Sequence, residues 1–390
     1  MPYYRSVGET PQKRHTQFRS PDGTLYAEEL MGVEGFSADS ALLYHRHLPT
    51  AIVNAEVVVD SRPTTPNLPL KPRHFRTQDL TWDAGIDAIT GRRLLLGNQD
   101  VRITFVTATA PSPLYRNAIG DELLYVQSGS AIVQTVYGSI DVAEGDYLVV
   151  PTSCTYRVLP AGPTRMLALE ATGHIGPPER YLSARGQFLE HSPYCERDLR
   201  GPEEPLLLGG EDVDVFVRHR TGVTRLTYAH HPFDVVGWDG CLYPWVFNIR
   251  DFEPITGRVH QPPPVHQTFE GPNFVVCSFC PRKVDYHPLA IAVPYNHANV
   301  DSDELMFYVG GNYEARKGSG IGIGSLSLHP SGCTHGPQPG AVEAALGVEA
   351  FDETAVMVDT FRPLELGEGA QACEDPRYAW SWARRGPDWN

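Results

Sequence analysis

The stretch Tyr115-Arg-Asn117-Ala-Ile-Gly-Asp121-Glu122-Leu123, followed by Pro151-Thr-Ser-Cys154-Thr155-Tyr156, decides how this chain is read. It returns later as His297-Ala-Asn299-Val-Asp-Ser-Asp303-Glu304-Leu305, followed by Pro330-Ser-Gly-Cys333-Thr334-His335. Superposed, Asn117 meets Asn299, Glu122 meets Glu304 and Cys154 meets Cys333. Tyr115 and Tyr156 of the first copy become His297 and His335 in the second. The second copy therefore holds two imidazoles and a carboxylate where the first holds two phenols and a carboxylate. Two histidines and one carboxylate form the ligand set of a mononuclear iron site with open positions for substrate and dioxygen. Zinc and manganese accept the same three groups. A lone histidine in a strand is more often packed than ligating, but a paired replacement inside a shared frame is a stronger signal. The first copy, lacking histidines, reads as structural, with a hydrogen-bonding role for Glu122.

The copies lie 182 residues apart at Glu122 and Glu304, too far for a solenoid repeat. The spacing fits an all-β, duplicated cupin-type barrel or jelly roll, a bicupin with few short helices. We expect an N-terminal domain over residues 1–200 with the metal-free copy. A catalytic domain over 201–390 would carry the second. The polar, proline-bearing segment Glu196 to Pro205 would be a linker or surface crossing.

Outward from the repeat, short runs rich in Val, Ile, Tyr and Phe, bounded by Gly, Pro, Asp and Ser, read as strands. They are Val101 to Thr109, Ala131 to Tyr137, Tyr147 to Val150 and Arg165 to Ala171 in the first half. Val213 to Arg218, Phe274 to Phe279, Leu305 to Val309, Ser325 to Leu328 and Val356 to Phe361 follow in the second. Only Ser37 to His47 and Tyr243 to Phe252 suggest short helices. The 390 residues suffice for two full cores, and 36 glycines with 34 prolines favour strands and turns over long helices. The net charge of −15 argues against nucleic acid and anionic membrane surfaces as partners. No secretory h-region and no membrane span is visible, and seven scattered cysteines suit a reducing, cytoplasmic setting. Cys277-Ser-Phe-Cys280 lies in an apolar run and reads as two small core residues.

The chain also resembles the homogentisate 1,2-dioxygenase family, which opens the ring of a hydroquinone acetate in tyrosine and phenylalanine breakdown. The resemblance rests on Leu25-Tyr-Ala-Glu-Glu29, Leu43-Tyr44-His-Arg-His-Leu48, Pro232-Phe-Asp-Val-Val-Gly-Trp238-Asp-Gly240 and Tyr243-Pro244. It continues through Pro294-Tyr295-Asn-His297, Tyr313-Glu314-Ala315, and Ser327-Leu328-His329 ahead of His335-Gly336-Pro337. It implies Fe(II) on His297, Glu304 and His335, and substrate contact at Tyr313 beside His335. It also implies a supporting histidine at His329 and an active-site histidine at His260, with His266 as the competitor. Partners would be a small hydroquinone and dioxygen, in a homo-oligomer, trimer or hexamer. The chain is shorter than typical members, lacks their Ser-Gly-Phe-Gly-Asn run and spaces the first two ligands one residue wider. These departures bear on the substrate more than on the metal. Gentisate or another substituted hydroquinone is the alternative substrate, and a non-catalytic metal-binding bicupin is the alternative from another class. Arg250, Arg258, Arg282 and Arg316 are candidates to hold a substrate carboxylate, with a structural ion pair the commoner role for Arg282.

Overall fold

The computed structural model describes residues 3–58, 60 and 62–387. It is built almost wholly of antiparallel strands. An eight-stranded sheet runs in spatial order Leu199–Arg200, Trp245–Asn248, Asp146–Val150, Glu122–Ser128, Thr164–Ala171, Val101–Ala108, Arg93–Gly97 and Glu365–Leu366. A seven-stranded sheet runs from Gly138–Ala143 to Ile52–Val58 and holds Tyr156–Pro160 beside Leu114–Asn117. Together these two enclose the first copy. The second copy hangs on a six-stranded sheet in the order Gln267–Gly271, Phe274–Phe279, Glu353–Thr360, Asp303–Gly311, Ser325–His329 and Arg73–Arg76.

Chain from each half crosses to the other's sheets. Trp245–Asn248 pairs with Asp146–Val149, and Arg73–Arg76 pairs with Leu328–Ser325. The polar segment after Glu196 opens with a single 3-10 turn, and Leu199 and Arg200 then pair with Phe247 and Val246. The central strands are buried on both faces, which is why they read as continuous apolar runs: Asp146–Val150 has no exposed residue. One core spans both copies. Tyr125 and Phe105 meet Phe307 edge-on, and the Tyr147 hydroxyl meets Ser278 Oγ at 2.9 Å.

All nine expected strands form, within a few residues at each end. Both expected helices are corrected. Ser37 to His47 holds the strand Ser40–His45, buried from Ala41 on and paired on both edges. Tyr243 to Phe252 holds the strand Trp245–Asn248 and a 3-10 turn, Ile249–Asp251. Short apolar runs are ambiguous by periodicity, and here lateral pairing decided for strand. The α-helices lie elsewhere, at Ala341–Ala344 and Glu368–Cys373, and both are short. No helix among the described residues is long and apolar enough to cross a membrane. All seven cysteines are free; Cys277 and Cys280 are buried, and burial raises both thiol pKa values.

Candidate metal centre

The repeat seen in the sequence is a repeat in space. Tyr115 lies opposite Tyr156 across an antiparallel pair, and His297 lies opposite His335 across another. The His297 and His335 backbones exchange both hydrogen bonds, at 2.7 and 2.8 Å. Glu122 opens one strand, Glu122–Ser128, and Glu304 is the second residue of another, Asp303–Gly311. Even the supports repeat. The carboxylates of Asp121 and Asp303 accept the amides of Thr152 and Ser331 through one oxygen, and those of Ile175 and Leu364 through the other.

In the first copy the place between the three side chains is filled by a guanidinium. Arg92 donates to Glu122 and Glu170 at 3.1 Å each and to the Tyr156 hydroxyl at 3.1 Å. Tyr115, Asn117 and Tyr156 also hydrogen-bond to Glu122. Burial would lower the pKa of Arg92, but Glu122, Tyr156 and Glu170 outweigh it and hold the group charged. The cation of this barrel is thus part of the chain. The expected hydrogen-bonding role of Glu122 is what the geometry presents.

Among the described residues, no cationic side chain hydrogen-bonds or ion-pairs with Glu304 as Arg92 does with Glu122. His297 Nε2 stands 3.4 Å from Glu304 Oε2, and His335 Nε2 stands 3.4 Å from Glu304 Oε1. One ligand atom from each of the three lies within 4.8 Å of the others. Bonds of roughly 2.1 Å to one ion put adjacent ligand atoms about 3 Å apart, so the three groups can share an ion with little movement. His335 Nδ1 meets the Cys333 carbonyl at 3.1 Å. That carbonyl can only accept, so the proton sits on Nδ1 and the Nε2 lone pair faces Glu304. Nε2 is buried with no hydrogen-bond partner, as a metal ligand would be before its ion arrives. Burial disfavours charge on Glu304, but hydrogen bonds from His297 and His329 outweigh it and hold its pKa well below the carboxylate range. The donor set fits a divalent cation.

His329 supports this centre. Its Nδ1 lies 2.8 Å from Glu304 Oε1 and its Nε2 lies 2.9 Å from the Tyr378 hydroxyl. Burial, chiefly, lowers its pKa to about 3, so the ring is neutral. A carboxylate can only accept, hence Nδ1 donates to Glu304 and Nε2 accepts from Tyr378. The aromatic tail therefore docks on this barrel, and Trp382 adds a bond from Nε1 to the Gly336 carbonyl at 3.1 Å. Register also places Asp359 opposite Glu304, where the first copy has Glu170 opposite Glu122. Arg92, Arg62 and Arg218 surround Glu170, whereas burial and then Glu304 push the Asp359 pKa up.

A cavity of about 160 Å³ opens over His297 and Glu304. Its walls are largely apolar, with Phe279, Val293, Met306, Pro337 and Met357 among them. Four charged residues border it: Arg282, Arg316, Glu304 and Glu353. These cancel, so a bound divalent ion leaves the cavity with two positive charges to offset. Tyr313 borders the cavity, and its buried hydroxyl has no hydrogen-bond partner. His260 borders it too, with Nε2 3.2 Å from the Tyr295 hydroxyl. His266 does not; it is buried, stacked on Phe279 with ring centroids 4.4 Å apart, and burial lowers its pKa to about 3.

Of the four arginines weighed from sequence, Arg282 and Arg316 reach the cavity. Arg282 is ion-paired to Glu353 at 2.7 Å and lies between the rings of Phe279 and Phe351. Arg250 pairs instead with Glu144. Sequence reasoning missed Tyr295, Tyr308 and Glu353. Tyr295 stands two residues before His297, inside a quoted motif, and could have been found there. Tyr308 and Glu353 carry no local signal.

A duplicated β-barrel with Arg92 at the centre of the first copy and a His-Glu-His cluster that could hold a metal in the second defines a bicupin. The family models for the N-terminal and C-terminal parts of homogentisate 1,2-dioxygenase match residues 7–249 and 261–384. The chain belongs to the homogentisate 1,2-dioxygenase family and is an oxidoreductase of that type. A putative dioxygenase of Saccharolobus solfataricus is 38% identical over 98% of this chain and 99% of its own length. A homogentisate 1,2-dioxygenase of Emericella nidulans is 26% identical over 94% of this chain and 84% of its own. Family membership sets aside the non-catalytic alternative.

Proposed function

We propose that this protein is an Fe(II) dioxygenase that opens the ring of homogentisate to maleylacetoacetate, in the catabolism of tyrosine and phenylalanine. The observation that carries the proposal is the His297–Glu304–His335 cluster, with His297 and Glu304 lining a mainly apolar cavity. Held by these side chains, iron would supply a Lewis acid for a ring hydroxyl and a redox centre for dioxygen. The chain's own groups do the rest. The apolar walls exclude water and clasp the ring. The buried Tyr313 hydroxyl gains its missing partner in a substrate oxygen. His260 faces the cavity through Nε2 and takes the hydroxyl proton; burial lowers its pKa, so it is neutral and basic at physiological pH. Two positive charges left by the ion suit a substrate carrying one carboxylate and one ionised hydroxyl. Arg316 or Arg282 would meet that carboxylate.

Another hydroquinone is a second reading, favoured by one observation. Glu353 already neutralises Arg282 in the cavity wall, so a substrate without a carboxylate also fits there. Oxygen uptake by the Fe(II)-reconstituted protein, measured with homogentisate, gentisate and plain hydroquinone in parallel, decides between them. Uptake with homogentisate alone is expected. Uptake with either of the others alone moves the reaction to another hydroquinone. His297→Ala and His335→Ala should abolish iron retention, and full turnover with bound iron in either would overturn the ligand assignment.

A further inference from the structure

His260 stands in a wall between two spaces. Arg282 and Phe279 share that wall, with the metal cavity on one side and a side cavity of about 70 Å³ on the other. Tyr295 borders the metal cavity and not the side cavity; Asp285 borders the side cavity and not the metal cavity. The two ring nitrogens of His260 divide the same way. Nε2 lies 3.2 Å from the Tyr295 hydroxyl, and Nδ1 lies 3.6 Å from Asp285 Oδ2.

We propose that Asp285 is a positioning residue for His260, holding the imidazole with its proton on Nδ1 so that the Nε2 lone pair faces the substrate hydroxyl. The inference rests on the reading of His260 as the base of a hydroquinone dioxygenase. A neutral imidazole has one N–H, and a carboxylate can only accept. The carboxylate therefore selects the tautomer whose Nε2 lone pair points at the metal cavity, where the Tyr295 hydroxyl donates to it until substrate binds. The Asp285 side chain is 11% exposed and makes no hydrogen bond among the described residues, so it serves no other visible partner. The 3.6 Å separation is longer than a formed hydrogen bond, and catalytic hydrogen bonds that are long in the free protein tighten with substrate bound.

In the step itself, the substrate O–H bond breaks and its electron pair stays on oxygen. A new N–H bond forms at Nε2, and the resulting imidazolium is stabilised by the Asp285 carboxylate, which stays ionised. Arg282 opposes that positive charge from the shared wall, and His266 and Lys283 lie along the side cavity beyond. Without Asp285, cationic neighbours and burial act on His260 unopposed.

The test uses Asp285→Asn, which preserves size and removes the charge, beside His260→Ala and the double variant. In metal-free protein, the ring nitrogens of His260 are observed by nitrogen NMR. In the parent protein the proton is expected on Nδ1, and in D285N a mixture of tautomers with a lower pKa. In Fe(II)-loaded protein, D285N should lower kcat for oxygen uptake about 10- to 100-fold with KM within about twofold, while iron content stays full. Added to His260→Ala, it should change nothing further. An unchanged tautomer, or an undiminished additional loss in the His260→Ala background, overturns the proposal. If His260→Ala itself keeps full oxygen uptake, it is the assignment of the base that fails, and the proposal falls with it.

Discussion

Replacing Arg92 by Met tests the idea that the first barrel is closed by its own cation. The guanidinium is buried among Glu122, Glu170 and two phenols. Removing one partner of a buried ion cluster costs about 3–5 kcal/mol, because the remaining charge is left uncompensated. Glu170 keeps Arg218 at 3.3 Å and Arg62 at 3.6 Å, and Glu122 keeps hydrogen bonds from Tyr115, Asn117 and Tyr156. The low end, roughly 3 kcal/mol, is therefore expected. At about 2–4 °C per kcal/mol, the unfolding midpoint should fall by roughly 6–12 °C. A lone buried carboxylate raises its own pKa above the unfolded value. The deficit should then be largest near neutral pH and shrink as pH falls and Glu122 takes up a proton. Arg92→Met combined with Glu122→Gln removes both charges and should recover at least about 1 kcal/mol. Thermal melts of the three variants between pH 5 and 8 measure all of this. A melting temperature for Arg92→Met within a degree of the parent's at pH 7, with no dependence on pH, would refute the reasoning.

Tyr378→Phe removes the donor that fixes the His329 tautomer, and should weaken metal binding about 10- to 100-fold in a chelator competition; unchanged affinity would leave the tail a mere packing element. His45 should set an alkaline limit to stability. Burial opposes its charge, but hydrogen bonds to Asp234 at 2.6 Å and Glu29 at 2.9 Å raise its pKa from 6.5 to about 9. A raised folded-state value stabilises fully below pH 6.5 and is lost as pH rises through 9. The gap is worth roughly 3 kcal/mol, and urea titrations across that window should show the decline in the parent but not in His45→Gln. Gly311→Ala should raise KM and cost about 1–3 kcal/mol, read by substrate saturation and urea titration. Gly311 has φ +78°, and an added Cβ would lie 1.5 Å from the Asp352 carbonyl oxygen at the strand end that leads to Tyr313.

Strand positions were legible because buried strands carry apolar runs bounded by turn residues, and the metal cluster was legible because one copy differs from the other at two places. Tyr115 and Tyr156 face each other, as do His297 and His335, so the double replacement marks one structural event. What escaped is set by pairing that crosses long stretches of chain. Arg92 lies outside the repeated motif, and nothing near it announces that it would reach Glu122. Asp359 and Glu170 correspond only through register. Ser40–His45 and Trp245–Asn248 became strands because their neighbours were strands waiting for partners, a fact no local window contains.

The guanidinium at the centre of the first barrel has a further consequence. A side chain cannot be exchanged, starved or oxidised to another valence, whereas an ion collected from solution can be all three. One half of the molecule is provisioned at the moment of its synthesis and the other depends on what its surroundings supply. Scarcity of the metal that this cluster takes would then leave a reserve of finished but idle protein, able to be switched on by its arrival without any new translation.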